Sequence, residues 1–226
     1  MIEVYNLNHP YYNKPKAERR RFTAKLILGA ALVNAAIIVL CIVLETYLII
    51  ALSVYLTLIL LAPFLDVPAL VAAGKLTYFS SFLLAEKEKK GTLKIHGGTL
   101  LDYWFTINRS MNGKQRRDFI LGGYIQGLLN LIEWAEENDK TELQITGTTP
   151  ILNRRTAEKL GFKLKPVNLV QLVILVFNYP NLTVAQSISK ARLSFPKIGN
   201  TKTIHANIGD LKKRRTFMKE LCEKLA

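Results

Sequence analysis

The hydrophobic pattern of this chain is dominated by two uninterrupted apolar stretches near its N-terminus. Residues 26–44 and 47–65 contain no lysine, arginine, aspartate or glutamate, and only Glu45 and Thr46 separate them. A helix that crosses the apolar part of a bilayer needs about 20 consecutive apolar residues. Neither stretch shows the polar stripe of a helix that packs on a soluble core. The pattern therefore predicts a transmembrane hairpin of two helices joined by a very tight turn.

Two other interpretations of these stretches are weaker. A buried helix pair in a soluble protein is less favoured, because a polar stripe is missing from both stretches. A secretory signal peptide has a shorter apolar core and a small-residue cleavage site behind it, and no such site precedes the second stretch. We therefore expect the hairpin to be a membrane anchor.

Basic residues flank the predicted hairpin on both sides. They are Lys14, Lys16, Arg19, Arg20, Arg21 and Lys25 before the first helix, and Lys75, Lys87, Lys89 and Lys90 after the second. Lysine and arginine concentrate on the cytoplasmic side of membrane proteins. The distribution predicts that both ends of the hairpin lie in the cytoplasm, and that only the turn at residues 45 and 46 lies outside.

The chain divides into three predicted parts, and its expected fold class is α+β. The parts are a basic N-terminal segment at residues 1–21, the transmembrane hairpin at residues 22–74, and a cytoplasmic mixed αβ domain with a basic C-terminal tail at residues 75–226. About 150 residues are enough for one compact domain. Residues 1–7 fit an edge strand, and residues 66–68 are expected to end the second helix, because proline interrupts the helical hydrogen-bond ladder.

Shorter patterns predict the elements of the cytoplasmic domain. The expected strands are residues 92–96, 99–107, 142–147 and 162–165, with a hairpin turn at Gly97 and Gly98 between the first two. The expected helices are residues 69–85, 118–138, 153–160 and 210–225, with a polar basic loop at residues 108–117. Gly161 is expected to end the third of these helices. Residues 168–177 are strongly apolar and fit either a core strand or a short helix, since they are too few to cross a bilayer.

The net charge of +14 and the pI near 9.8 point to an anionic partner. Anionic lipid headgroups attract lysine and arginine near a membrane surface, at about 1 kcal/mol for each side chain. Nucleic acid would also attract this charge, but zinc-finger spacing and RNA-recognition signatures are missing from the sequence. We therefore favour a bilayer with anionic headgroups over nucleic acid.

The cysteines and histidines do not suggest a disulfide or a metal site. Cys41 lies inside the first apolar stretch and Cys222 lies near the C-terminus, so we expect no bond between them. His9, His96 and His205 are too scattered for the spacing of a metal site, and we expect the protein to be free of metal.

A single polar residue stands out inside the first apolar stretch. Asn34 is placed to bond across the hairpin to Ser53 or Thr57 of the second stretch. We expect this contact to fix helix packing, because so few polar residues offer no path for an ion.

Two segments of the predicted domain resemble a known enzyme family. RRTAEKLGF, at residues 154–162, resembles the "RLYEKLGF" signature of the GCN5-related N-acetyltransferases. GKQRRDFILGGYIQGLLNLIEWAEEND, at residues 113–139, resembles the pyrophosphate-binding loop and helix of that family. The match covers residues 100–165, which is less than a third of the chain. The resemblance implies a membrane-anchored acyltransferase of this superfamily.

The resemblance also implies a donor substrate and its binding residues. The donor is acetyl-CoA or a longer acyl-CoA, and its pyrophosphate is expected at the start of the helix predicted from residue 118. The residues expected to bind it are Lys114, Arg116, Arg117, Gly122 and Gly123. In that family two strands splay apart around the thioester, and the resemblance places these strands at residues 103–107 and 142–146.

One departure from the family affects the expected chemistry. The tyrosine that commonly protonates the leaving thiolate in that family is replaced here by Ala157. Glu158, His96 and Tyr103 are the candidates to replace it as a catalytic residue, and the sequence does not choose among them.

Three functions therefore stay open at this level. The first is an acyltransferase that moves an acyl group from acyl-CoA to an amine or to another acceptor near the membrane. The second is a non-catalytic scaffold of the same fold in a membrane complex, with a membrane-protein partner or a second copy of itself. The third is a two-helix membrane effector whose cytoplasmic domain senses a ligand.

Overall fold

Two long helices form a hairpin at the start of the structure. The computed structural model describes residues 9–149 and 154–225. Helix α1 (Lys16–Val43) and helix α2 (Tyr47–Ala72) pack side by side, and each is long and apolar enough to cross a membrane. In the turn between them Glu45 has a φ of 55°, a left-handed conformation that lets the chain reverse within three residues. The predicted pair of apolar helices is confirmed.

Polar side chains join the two helices near the middle of the hairpin. The Nδ2 atom of Asn34 donates to Oγ1 of Thr57 at 2.7 Å, and Oγ of Ser53 donates to Oδ1 of Asn34 at 2.8 Å. The second Asn34 amide hydrogen is directed to the Ala30 carbonyl at 2.9 Å. The predicted bond across the hairpin is confirmed, and it involves both of the proposed partners.

Helix α2 continues past the point where we expected it to end. Pro68 lies inside the helix, but Phe64, Val67 and Val71 are buried against the folded domain on the same stretch. Burial of these three side chains outweighs the hydrogen bond lost at the proline. The predicted helix end at residues 66–68 was therefore wrong.

A pair of strands replaces the helix predicted at residues 69–85. Strand β1 (Leu76–Ser80) and strand β2 (Leu83–Glu86) pair in antiparallel fashion. Tyr78 and Phe79 are neighbours that point to opposite faces of the sheet, yet they are only 1% and 2% exposed. Strands that are buried on both faces lose the alternation of polar and apolar residues that identifies a strand. The helix prediction for this stretch was wrong for that reason.

Six strands form one mixed sheet in the order β1-β2-β3-β4-β6-β5. The other four strands are β3 (Thr92–Gly97), β4 (Gln144–Thr149), β5 (Lys163–Pro166) and β6 (Lys202–Asn207). Strands β3 and β4 are parallel, and the other neighbouring strands of this sheet are antiparallel. The α+β class is confirmed, and so are the strands predicted around residues 92–96, 142–147 and 162–165.

Seven helices follow the hairpin within the described residues. They are α3 (Leu100–Thr106), α4 (Gly113–Glu137), α5 (Arg154–Lys159), α6 (Leu169–Phe177), α7 (Tyr179–Lys190), α8 (Ile208–Lys212) and α9 (Arg215–Leu225). Helix α4 confirms the long predicted helix but begins five residues earlier, inside the expected loop at 108–117. Residues 168–177 form a helix rather than a core strand. The predicted C-terminal helix is divided into α8 and α9.

Helix α3 lies where we predicted a strand. Thr99 precedes the helix, and both its backbone N–H and its hydroxyl donate to Oδ2 of Asp102, at 2.6 Å and 2.9 Å. This pairing of a threonine with an acidic residue three positions later stabilises the start of a helix. The aromatic residues of this stretch favoured a strand, but the capping pair and tertiary packing outweigh that propensity. The predicted strand at 99–107 and the hairpin turn at Gly97 and Gly98 were therefore wrong.

The short helix α5 ends as the sequence indicated. Gly161 has a φ of 91°, and a Cβ atom there would lie 2.9 Å from the Asp210 carbonyl oxygen. Both the backbone conformation and the close approach require glycine. The start predicted for this helix at residue 153 and the edge strand predicted at residues 1–7 lie outside the described residues.

The two faces of the sheet are covered differently. On one face α4, α5, α8 and α9 enclose a core that includes Ile95, Ile145, Ile204 and Leu211. On the opposite face the end of α2, helix α3 and the segment around Tyr11 cover only the β1 and β2 end. The rest of this second face carries polar side chains, which are described below.

Candidate active site

The predicted phosphate-binding residues lie along α4 and do not converge on one place. Gly122 and Gly123 lie nine and ten residues after the first residue of α4, which is about 14 Å along the helix axis. A Cβ atom at Gly123 would lie 2.6 Å from the Phe82 ring, and one at Gly122 would contact Leu225. Gly123 therefore allows α4 to pack closely on the turn between β1 and β2.

The start of α4 is closed by its own side chains. Oδ1 of Asn112 accepts bonds from the backbone N–H groups of Lys114 and Gln115, at 2.9 Å and 3.0 Å. The Gln115 side chain accepts the N–H of Asn112 at 2.9 Å. This reciprocal arrangement uses the free donors of a helix start, which are the groups that a phosphate would otherwise bind.

Arg116 is also engaged within the protein. Its guanidinium group donates to the carbonyl oxygens of Met111, Ile188 and Arg109 at 2.8–2.9 Å. These bonds join the start of α4 to the end of α7. Lys114 is exposed on the first turn of α4, and Arg117 makes only a loose contact of 3.7 Å with the neighbouring Asp118. Of the predicted basic residues, Lys114 and Arg117 are the ones presented to solvent.

The residues around the family's tyrosine position are arranged for packing. Ala157 is fully buried in the core under α5, where a tyrosine ring has no room. The next residue, Glu158, points outwards with its side chain 57% exposed, and it pairs with Nε of Arg154 at 2.8 Å. The structure places Glu158 on the outer side of α5, in an exposed ion pair.

Tyr103 and Tyr124 lie together beside the end of β3. Tyr103 is 5% exposed and packs edge-on against Phe82, with ring centroids 5.5 Å apart. Burial raises the pKa of Tyr103 well above 10, and the nearby Tyr124 adds to this effect. A Cβ atom at Gly97 would overlap the Tyr124 hydroxyl. Glycine at position 97 therefore admits this hydroxyl to the backbone at the end of β3.

Burial also raises the pKa of Tyr124, although hydrogen bonds with Tyr103 and with the backbone of Gly98 work in the opposite direction. A tyrosine with a raised pKa keeps its proton at neutral pH. Tyr124 therefore presents a protonated hydroxyl at this point, and the sequence did not single it out.

His96 contacts a carboxylate on the other face of the sheet. Its Nε2 atom lies 2.8 Å from Oε1 of Glu86, and Nζ of Lys94 lies 3.0 Å from the same oxygen. Burial lowers the pKa of His96, and Lys94 contributes to this, while Glu86 opposes the shift. Burial tends to raise the pKa of Glu86, but its bonds with Lys94 and His96 lower the value overall.

These contacts define the chemical state of His96. A lowered pKa leaves the imidazole neutral at neutral pH, and the Glu86 carboxylate fixes the proton on Nε2, because a carboxylate only accepts. The lone pair then lies on Nδ1. A neutral histidine that is oriented by a carboxylate has the properties of a general base.

The sheet opens between β3 and β4 next to His96. The ladder between these strands ends at Ile95 and Gly147, although β3 continues to Gly97 and β4 to Thr149. Strand β4 remains paired with β6 as far as Thr149. We call this opening the strand gap, and its edges are His96, Gly97, Thr148 and Thr149.

Side chains from four elements lie around the strand gap on the polar face. Lys94 is paired with Thr146, and side chains two positions apart on a strand share a face, so His96 and Thr148 point to the same side. Oγ1 of Thr148 and Oγ1 of Thr203 each donate to Oε1 of Gln171 at 3.2 Å. Gln171 belongs to α6, so this helix lies directly beside the gap.

His205 lies further along the same polar face. It pairs with Thr146 of β4 and with Lys163 of β5. Burial lowers the pKa of His205, and the positive charge of Lys165 adds to the shift. The three histidines do not form a cluster. Among the described residues, no group of three or more His, Cys, Asp or Glu side chains is placed to hold a metal ion.

A buried polar cluster anchors the N-terminal segment. Nε2 of His9 lies 3.1 Å from Oδ1 of Asp102, and the Tyr78 hydroxyl donates to the same oxygen at 2.6 Å. The backbone N–H of Tyr11 donates to Nδ1 of His9 at 3.2 Å. His9 and Asp102 are fully buried, so this cluster holds structure and has no access for a substrate. Nothing in the sequence linked two residues that lie 93 positions apart.

No family model, no curated protein and no solved structure matches the chain.

Proposed function

We propose that this protein is a membrane-anchored acyltransferase of the GCN5-related type, and that the strand gap between β3 and β4 is its active site. The observation that carries the proposal is the opening of a parallel strand pair beside an oriented neutral histidine, His96. In the family that this chain resembles, the thioester of the donor lies between two splayed strands. Strand β3 takes the place of the first of these, because residues 103–107 belong to α3 and the following turn.

The order of elements around the gap supports the proposal. A strand, a long crossover helix, a parallel strand, a short helix and a further strand follow one another as β3, α4, β4, α5 and β5, interrupted only by the short α3. The register between β3 and β4 ends at Ile95 and Gly147, which is where the resemblance leads us to expect the thioester arm.

The residues on the two faces of the sheet have complementary roles. An acyl thioester supplies an activated carbonyl carbon, which an amine attacks to form an amide as the carbon–sulfur bond breaks. Nδ1 of His96 accepts the proton that the amine loses. The Tyr124 hydroxyl, on the opposite face, donates a proton to the departing thiolate. After the products leave and water enters, His96 releases its proton to solvent and Tyr124 regains one from solvent. One proton leaves the amine and one joins the thiolate, so the products are an amide and a free thiol.

The charge of the protein supports a site at a membrane surface. The chain carries a net charge of +14, and the end of α2 packs against β1, β2 and α3 of the folded domain. Basic residues near a membrane are attracted to anionic headgroups. We place both termini and the domain in the cytoplasm on the basis of the basic residues that flank the hairpin.

The test is a turnover assay on the full-length protein in nanodiscs that contain phosphatidylglycerol. Acetyl-CoA and palmitoyl-CoA are offered with amine acceptors, and release of free CoA thiol is measured together with binding by calorimetry. We expect saturable binding and amine-dependent thiol release. His96→Gln should lower kcat by about 100-fold or more with binding retained. His205→Gln, on the same face, is the matched control and should retain activity.

A non-catalytic scaffold is the second candidate, and a specific observation favours it. The donors at the start of α4 and the guanidinium of Arg116 are all engaged within the protein. A domain that has lost its phosphate-binding site would bind neither acetyl-CoA nor palmitoyl-CoA. Absence of binding to both donors would overturn the acyltransferase proposal and leave this alternative.

A further inference from the structure

Helix α6 exposes an unusual amount of apolar surface. None of its residues is buried, and Leu169 and Val170 are 79% and 69% exposed. Val173, Ile174, Val176 and Phe177 are each more than half exposed. Soluble proteins seldom leave a contiguous apolar patch of this kind uncovered.

Both ends of the α6–α7 pair are fixed to the folded domain. At the start, Gln171 accepts bonds from Thr148 of β4 and Thr203 of β6. At the end, the Ile188 carbonyl accepts a bond from Arg116 of α4 at 2.8 Å. The helical axis bends by 68° between α6 and α7. The pair therefore leaves the domain and returns to the same domain.

The bend between α6 and α7 lies against the middle of α2. The Tyr55 hydroxyl donates to the Phe177 carbonyl at 2.8 Å, and Nδ2 of Asn181 donates to the Ile59 carbonyl at 2.8 Å. Tyr55 and Ile59 follow the first residue of α2 by eight and twelve positions, which is about 12 Å and 18 Å along the axis. The bilayer core is about 30 Å thick, so the bend lies near its midplane if α2 crosses it.

Several polar groups at the bend are satisfied within the protein, whereas Oδ1 of Asn181 and Oγ1 of Thr183 are buried without a hydrogen-bond partner. Besides the bonds to α2, both the backbone N–H and the side-chain amide of Asn178 donate to the Ile174 carbonyl at 2.9 Å. A break in helical backbone is tolerated at membrane depth only where its polar groups find partners. The backbone N–H of Asn178 and the backbone carbonyl of Phe177 meet that requirement.

The charge pattern agrees with burial in lipid. Residues 166–189 contain no Lys, Arg, Asp or Glu. Basic residues stand at both ends of this uncharged stretch, namely Lys163 and Lys165 before it, and Lys190 and Arg192 after it. Positive side chains commonly mark the point where a membrane segment meets the headgroups.

We propose that α6 and α7 form a re-entrant hairpin, which enters the bilayer from the side of the folded domain and turns back near the midplane. The exposed side chains of α6 pack against the acyl chains of the leaflet on that side. A complete third crossing is inconsistent with the attachment of both ends to one domain. The inference depends on α1 and α2 crossing the bilayer and is independent of acyl transfer.

The test measures the depth of α6 in liposomes of phosphatidylcholine and phosphatidylglycerol. Single cysteines are placed at Phe177, Leu58 or Lys219 in full-length protein that carries Cys41→Ala and Cys222→Ser. Each cysteine is labelled with an environment-sensitive fluorophore and quenched by lipids brominated at known acyl positions. Leu58 is the matched control, because it lies on α2 three residues from Tyr55 and is 63% exposed, against 57% for Phe177. Lys219 is an exposed residue of α9 and is the aqueous control.

We expect deep bromines to quench the Phe177 probe within about twofold of the Leu58 probe, and to leave the Lys219 probe unchanged. Quenching at Phe177 no greater than at Lys219 would overturn the proposal, and would indicate that a protein partner or a second copy covers α6. A second measurement excludes a crossing: cysteines at Lys165 and Lys190 should react with an impermeant maleimide on the same side of sealed vesicles. Reaction on opposite sides would also overturn the re-entrant hairpin.

Discussion

Replacement of Asp102 by alanine should destabilise the protein strongly. The carboxylate of Asp102 accepts bonds from the Tyr78 hydroxyl, from Nε2 of His9, and from both the backbone and hydroxyl groups of Thr99. His9 and Asp102 are fully buried and Tyr78 is 1% exposed, so water does not reach the His9 and Tyr78 donors that the substitution leaves behind. The substitution therefore removes the hydrogen bonds that hold the N-terminal segment and, at the same time, those that stabilise the first turn of α3.

The magnitude follows from the number of donors that lose their acceptor. A buried donor without a partner costs about 1–3 kcal/mol, and more where its lost acceptor carried a charge. These costs overlap, because the donors share one carboxylate. We expect Asp102→Ala to lower the free energy of unfolding by about 4 kcal/mol. Asp102→Asn keeps the shape and one acceptor, and should cost about half as much.

The assay is reversible unfolding of the full-length protein in detergent, with the fluorescence of Trp104 and Trp134 as the signal. Asp210→Ala is the matched control, because the Asp210 carboxylate is 44% exposed and pairs with Lys213 at 3.3 Å. An exposed ion pair contributes about 1 kcal/mol or less. A loss in Asp102→Ala no larger than in Asp210→Ala would refute the reasoning about this buried cluster.

Three further changes test other parts of the structure. Burial lowers the pKa of His96 below its ordinary value of 6.5. If His96 is the proposed general base, the acidic limb of the pH–kcat profile should lie below pH 6.5 and disappear in His96→Gln. Gly123→Ala places a Cβ 2.6 Å from the Phe82 ring and should lower the free energy of unfolding by about 1–3 kcal/mol. Gly29→Ala is the control, because its Cβ would enter open space, and it should leave the free energy of unfolding unchanged in the same assay. Asn34→Leu removes the bonds to Ser53 and Thr57 and should cost about 1–2 kcal/mol, measured by unfolding in mixed micelles; no change would contradict a packing role.

The sequence by itself determined the elements that have a regular local pattern. The two apolar helices, the long helix α4, the strands around residues 92–96 and 142–147, and the turn at Gly161 all follow from periodicity or from a residue with special backbone freedom. The bond from Asn34 across the hairpin was also predictable, because a polar side chain in an apolar helix needs a partner on its only neighbour.

Only the tertiary structure decided the elements that depend on distant partners. Strands β1 and β2 are buried on both faces, so their sequence lacks the alternation that marks a strand. Residues 100–106 have strand-like composition, but Thr99 and Asp102 start a helix that packs under α2 and α7.

The candidate active site depends on distant partners in the same way. His96 was a candidate from the sequence, but its orientation depends on Glu86 of the neighbouring strand. Tyr124 reaches the end of β3 only because α4 crosses the sheet at Gly97. A local pattern records which face of an element is apolar, but pairing between strands and helices sets which side chains meet. For that reason the sequence indicated the elements around the strand gap, and the fold alone brought their side chains together.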